Sequence, residues 1–135
     1  MPLSEKARAF LGEQRFAVLA TLNADGAAQQ TVMWYALRGD TIVMNTAVGR
    51  VKNQNLRQEP RISICVSVGY TYVTISGAAQ LIDDPQTAQS DIRALAILNH
   101  GQEEGMRQSE EQFSKQQRVS IYLPIERVIE YGFED

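Results

Sequence analysis

Apolar and polar residues alternate through most of this chain with the period of two that marks half-buried strands, and helical spacing interrupts the alternation at intervals. The run Arg15 to Leu22 reads as a strand. A turn over Asn23 to Gly26, with an Asp-Gly pair suited to positive φ, leads into a second strand from about Ala28 to Leu37. A tight turn at Arg38, Gly39 and Asp40 precedes a third strand, Thr41 to Thr46, which makes an antiparallel meander. Arg61 to Val68 alternates cleanly, with Ile62, Ile64, Val66 and Val68 on one face and Arg61, Ser63, Cys65 and Ser67 on the other. Tyr72 to Ile82 is a long β run in which Gly77 predicts a bulge or bend. Arg118 to Leu123 and, after Pro124, Glu126 to Tyr131 are the last strands.

Between these runs lie the helices. Ser4 to Gln14 predicts a short one, capped by Ser4, with Ala7, Phe10 and Leu11 at i, i+3 and i+4. A loop after Ala47 enters a second helix over about Val51 to Gln58, stopped by Pro60. Asp84 and Pro85 open a third as cap and first helical residue, and Gly101 ends it. Gln102 to Gln117 is polar apart from Met106 and Phe113, and fits either a helix or a loop. Six or seven strands in short turns, with a helix inserted late, predict a mainly β fold, a small antiparallel barrel in one domain over residues 1–135.

Composition narrows the chemistry. Cys65 is the one cysteine, so there is no internal disulfide framework, and His100 is the one histidine, so a His-paired zinc site within one chain is excluded. The net charge of −3 argues against a general nucleic-acid binder, although residues 1–69 carry a net +3 and residues 70–135 a net −6. No apolar stretch approaches a membrane span, and Met1 to Gly12 has no signal-peptide core, so a cytoplasmic protein is expected.

The informative segment for function is Asn45 to Arg57. It places Arg50, Lys52 and Arg57 at the end of a strand and the start of a helix, where free N–H groups and partial positive charge attract phosphate. Arg supplies a planar fork and Lys a point charge, while Thr46 and Asn55 offer further hydrogen bonds. The plain alternative is a solvated basic helix face. A second segment, Gln29 to Tyr35, alternates polar groups with large flat or soft side chains, Met33 and Trp34 among them. It predicts either a wall for a ring-shaped ligand or ordinary barrel packing. Tyr70 and Tyr72 flank a turn and either cover a ligand or pack at a subunit contact. His100, at a helix end, and Cys65, with no activating group nearby in sequence, read as structural. Glu103, Glu104, Glu110 and Glu111 read as a solvated face, and Asp83 with Asp84 as a helix start.

Taken in order, these segments resemble a known family: a meander ending in Asn45 and Thr46, then Arg50-x-Lys52-x-x-Asn55, then Pro60 and Arg61 before a strand, then Tyr70 to Gly77, and a late Arg118-Val-Ser-Ile with a closing Tyr131 and Gly132. The chain is similar over roughly residues 7–133 to the flavin and deazaflavin oxidoreductases of the pyridoxamine-phosphate-oxidase-like split β-barrel superfamily, and most of all to the branch using the deazaflavin coenzyme F(420). The resemblance implies a homodimer with two cofactor sites at the subunit interface. It places Arg50, Lys52 and Asn55 at the cofactor phosphate, with Thr46 beside it. It places Gln30, Val32, Met33 and Trp34 along the ring, and Tyr70 and Tyr72 where the partner subunit closes the pocket. The strand after Gln29 lacks the Arg and Lys pair of true pyridoxamine-phosphate oxidases, which argues against vitamin B6 oxidation. The implied activity is hydride transfer from F(420) to a small electron-poor acceptor without a catalytic triad; an FMN reductase on the same fold and a non-catalytic F(420) carrier are the alternatives.

Overall fold

The computed structural model describes residues 3–14 and 16–133; Arg15, the expected start of the first strand, lies outside them. Two antiparallel sheets and several short helices form a split barrel. The five-stranded sheet runs in the order β2 (Ala28–Trp34), β1 (Phe16–Leu22), β5 (Arg61–Val68), β6 (Thr71–Ala78), β9 (Arg127–Tyr131). The four-stranded sheet runs β3 (Ala36–Arg38), β4 (Thr41–Ala47), β8 (Arg118–Pro124), β7 (Gln80–Ile82).

The nine strand segments correspond to the seven β runs visible in the pattern, because two of those runs are broken. The run from Ala28 stops at Trp34, and Ala36 resumes in the other sheet. The hinge is Tyr35, 1% exposed, whose hydroxyl donates to the carbonyl of Leu11 at 2.6 Å. The meander therefore passes from one sheet to the other. The run through Tyr72 breaks at Ala79, whose N–H donates to Pro60 O at 2.8 Å. Gly77 is not a bulge: it pairs in register with Ile62. Its missing side chain serves a close approach, since a Cβ there would lie 3.0 Å from Pro124 O and 3.1 Å from Leu123 Cδ1.

One face of each sheet packs inward. Leu19, Ile64 and Ile75 from the larger sheet meet Met44, Ile121 and Leu123 from the smaller, all fully buried. Helix α1 (Glu5–Glu13) adds Ala7 and Leu11. Its cap is double-ended: Ser4 Oγ accepts from Ala7 N at 3.0 Å and donates to Glu130 Oε1 of β9 at 2.7 Å. Lys6 Nζ donates to Phe133 O, and Phe10 meets Phe133 edge-on at 5.3 Å.

Helix α2 (Val51–Gln58) has the expected limits. Helix α3 (Pro85–His100) starts at Asp84, whose carboxylate accepts from Thr87 N, and ends at Gly101 with φ +87°. The segment after Gly101 is helix α4 (Gln102–Glu111) and a 3₁₀ turn, Phe113–Lys115. Helix α4 lies against α3 because Gly105 has no side chain; a Cβ would fall 2.5 Å from Ile97 backbone atoms. Ile92, Leu95, Ala96 and Phe113 form a second small core with Trp34 at its margin.

Candidate functional site

Strands β4 and β8 are covered on both faces, the inner by the barrel core and the outer by α3. Alternation sends Val43, Asn45 and Ala47 outward, opposite Tyr122, Ser120 and Arg118. This outward layer is polar, and it is held by the buried Asp91 of α3. Asp91 Oδ1 accepts from Arg38 at 2.9 Å, and Oδ2 accepts from Ser120 Oγ at 2.6 Å and Tyr122 Oη at 2.7 Å. Burial, then the hydrogen bond to Asp91, hold the Tyr122 phenol above its ordinary pKa. Asn45 Nδ2 donates to Ala88 O and Ser120 Oγ, which leaves Asn45 Oδ1 to accept from Arg118 Nε at 2.9 Å.

Arg118 ends this chain of contacts in a cleft of about 370 Å³ between the free edge of β2 and the α3–Phe113 layer. Trp34, Met33, Ile92 and Phe113 give the cleft an apolar side; Asn45, Arg50, Gln116 and Arg118 give it a polar one. The volume lies within the usual range for small-molecule sites, about 300–1,000 Å³. Trp34 stands edge-on to Phe113 and to His100, at 6.2 and 5.3 Å between centroids.

The cations here lack counter-ions among the described residues: Arg50, Lys52 and Arg118 form no salt bridge. Burial, then the charge of Arg50, lowers the Arg118 pKa to about 10. Burial, followed by Arg50 and Arg118, lowers that of Lys52. A cation whose folded pKa is lowered costs stability at every pH below that value, and the cost fades as the pH rises past it. Lys52→Met is therefore expected to stabilise the ligand-free protein by about 0.5–1 kcal/mol, a few degrees in Tm, while weakening anion binding. Thermal denaturation with and without ligand checks both signs; a lower Tm without ligand defeats the expectation.

The residues singled out from the sequence divide into groups. Val32, Met33, Trp34 and Arg50 line the cleft together. Lys52 does not line it but is 9% exposed and feels both arginines. Thr46 is 3% exposed and, by alternation, turned from this cleft toward the barrel interior; its neighbour Asn45 takes the cleft-facing place. Asn55 is buried, and its Nδ2 donates to Thr21 Oγ1 at 3.1 Å and Asn23 Oδ1 at 2.9 Å. Those bonds tie α2 to the first hairpin, and a phosphate contact would have to replace one of them. Gln30 is exposed on the edge strand, opposite Ala20, and outside the cleft lining. Tyr70 is 89% exposed in the β5–β6 turn, and Tyr72 stacks on Tyr131 at 5.6 Å; neither meets this cleft within one chain. The sequence reading missed Asn45, Phe113 and Arg118 as site residues. The outward alternation of Arg118, Ser120 and Tyr122 was the available signal.

The sequence profile of pyridoxamine 5′-phosphate oxidase matches residues 3–130. The chain belongs to that family. Structures with the same fold include a conserved hypothetical protein from Mycobacterium tuberculosis, 25% identical at a TM-score of 0.79, with 95% of this chain and 84% of that one covered. An F(420) reductase matches at 19% identity and TM-score 0.69, covering 96% and 98%. The heme storage protein HutZ from Vibrio cholerae matches at 16% and 0.71, covering 96% and 95%. The pyridoxamine 5′-phosphate oxidase-like fold thus carries flavin-related oxidoreductases as well as a heme-storage protein. No helix among the described residues is long and apolar enough to cross a membrane.

Proposed function

We propose that this protein is an oxidoreductase that uses coenzyme F(420) for hydride transfer to a small electron-poor organic acceptor. The observation that carries the reading is the cleft itself, with cations that form no salt bridge among the described residues beside a wall of flat and soft apolar side chains. Arg50 and Lys52 would hold the cofactor phosphate, where α2 begins without a side-chain cap. Trp34, Met33 and Val32 would border the ring. When bound, F(420) supplies a hydride donor that prefers two-electron chemistry. The side chains of this protein orient the reactants, exclude water and balance charge. Equilibrium binding of F(420) and FMN side by side tests the reading, followed by turnover of reduced F(420) with an enone or quinone. Tighter FMN binding favours the FMN reductase; tight F(420) binding with no turnover favours a carrier.

Among the described residues, the cleft lining holds no carboxylate, histidine, cysteine or tyrosine to act as a dedicated proton donor. His100 lies at its margin against Trp34, and Cys65 is on the other side of the molecule's larger sheet from the core. His100→Ala and Cys65→Ala are each expected to keep kcat within about tenfold, whereas general acid catalysis contributes about 10²–10⁴-fold. A thousandfold loss in either, about 4 kcal/mol of transition-state stabilisation, would identify a catalytic acid.

The reading includes a homodimer. In-register pairing aligns Val32, Val18, Cys65, Thr74 and Ile129 across all five strands of the larger sheet, on its outer face. Val32 is 65% and Ile129 55% exposed, with Phe16 and Tyr131 alongside. Such a patch is what a subunit contact covers. Pairing there would also supply the Tyr70 and Tyr72 of a second subunit to the cleft. Sedimentation is expected to give a dimer at micromolar concentration and Val18→Asp to dissociate it; a wild-type monomer that retains cofactor contradicts this.

A further inference from the structure

We propose that Arg118 fixes the oxyanion of the molecule bound in this cleft, and that Asn45 is the positioning residue that aims it. This deepens the F(420) reading and rests on it only for the identity of the ring.

The geometry is that of a held, half-used fork. Arg118 Nε donates to Asn45 Oδ1 at 2.9 Å and Nη1 to Gln116 Oε1 at 2.6 Å, while Nη2 has no hydrogen-bond partner among the described residues. Both partners are neutral amides. The nearest buried carboxylate, Asp91, is already shared by Arg38, Ser120 and Tyr122. Phe113, 5.0 Å from the guanidinium carbon, supports the cation without neutralising it. Asn45 cannot turn its oxygen away, because its Nδ2 is engaged by Ala88 O and Ser120 Oγ. Partly buried positive charge with an open planar donor edge selects a phosphate or carboxylate over a neutral group. Arg118 reaches the cleft from β8, 73 positions beyond Asn45, and shares the cleft lining with Arg50.

Two sources share that chemistry: the cofactor phosphate and a carboxylate on the acceptor. Quenching of Trp34, the chain's one tryptophan and part of the cleft wall, provides the readout. Titrate FMN against riboflavin, which differ by the phosphate alone, and F(420) against its phosphate-free ribityl deazaflavin core, which lacks the acidic tail as well. In each pair the ratio of affinities reports oxyanion recognition and cancels losses from imperfect folding. Arg118→Gln is expected to shrink the ratio at least tenfold, Arg118→Lys less, and Asn45→Ala to an intermediate extent. A third arm titrates cinnamate, a planar carboxylate, into cofactor-loaded protein. Unchanged ratios with tenfold weaker cinnamate binding in Arg118→Gln assign the oxyanion to the acceptor. Ratios and cinnamate affinity all within twofold of wild type overturn the proposal. Which ring pair binds more tightly judges the F(420) reading separately: preference for FMN with a ratio that still depends on Arg118 defeats that reading and leaves this one standing.

Discussion

Arg50→Ala and Lys52→Ala are each expected to weaken F(420) binding about ten- to a hundredfold, corresponding to ~1.5–3 kcal/mol for one charge-assisted contact. Arg50 lines the cleft, and Lys52 stands within its electrostatic reach. The two losses should differ in character. Arg50 is exposed, so its contribution is screened and should decline with added salt. Lys52 is buried and its charge is opposed by both arginines, so an arriving anion relieves a penalty that salt cannot reach. Calorimetric titration at two ionic strengths separates these cases. If both variants bind F(420) like the wild type, the phosphate is not held here.

Asp91→Ala is expected to destabilise the fold by about 1.5–3 kcal/mol, the usual cost of losing hydrogen bonds to a buried charged group, because the Arg38 left behind is half exposed. Asp91 is 4% exposed and accepts hydrogen bonds from three side chains on two strands, Arg38 of β3 and Ser120 and Tyr122 of β8. Removing it leaves the Ser120 hydroxyl buried without its acceptor and frees Arg38 from its partner. Denaturant unfolding checks the magnitude. A loss under about 1 kcal/mol would show that water replaces the carboxylate without difficulty. Because Ser120 also contacts Asn45, the variant should disorder the cleft's polar side as well.

The β runs were legible because one-sided burial writes itself as alternation, and Ile62, Ile64 and Val66 show it plainly. The breaks at Tyr35 and Ala79 were not legible. Each depends on a contact with a distant residue, Leu11 and Pro60, and neither leaves a local trace. Gly77 looked like the natural bend, yet it answers to Pro124 across the barrel rather than to its own strand. At the site, Arg50 and Lys52 could be found because a helix start concentrates them in a few residues. Arg118 and Phe113 could not, since only the docking of α3 and the 3₁₀ turn over β8 brings them to Trp34. Thr46 and Asn45 show the limit of the pattern most clearly. Burial on both faces of β4 hides which of two adjacent polar residues looks outward.

The Ser4–Glu130 contact bears on how the chain acquires its shape during synthesis. The first helix depends for part of its anchorage on a residue 126 positions later, and β8, central in its sheet, is also made late. A nascent chain that has emerged only through α3 therefore exposes one long edge of β4 and a helix without its final hold. Pairings of such long sequence separation are slow to close and leave sticky intermediates in the interval. The ribosome must deliver β8 and β9 before either sheet can be completed, so closure of the barrel waits on these two late strands rather than growing outward from the first hairpin.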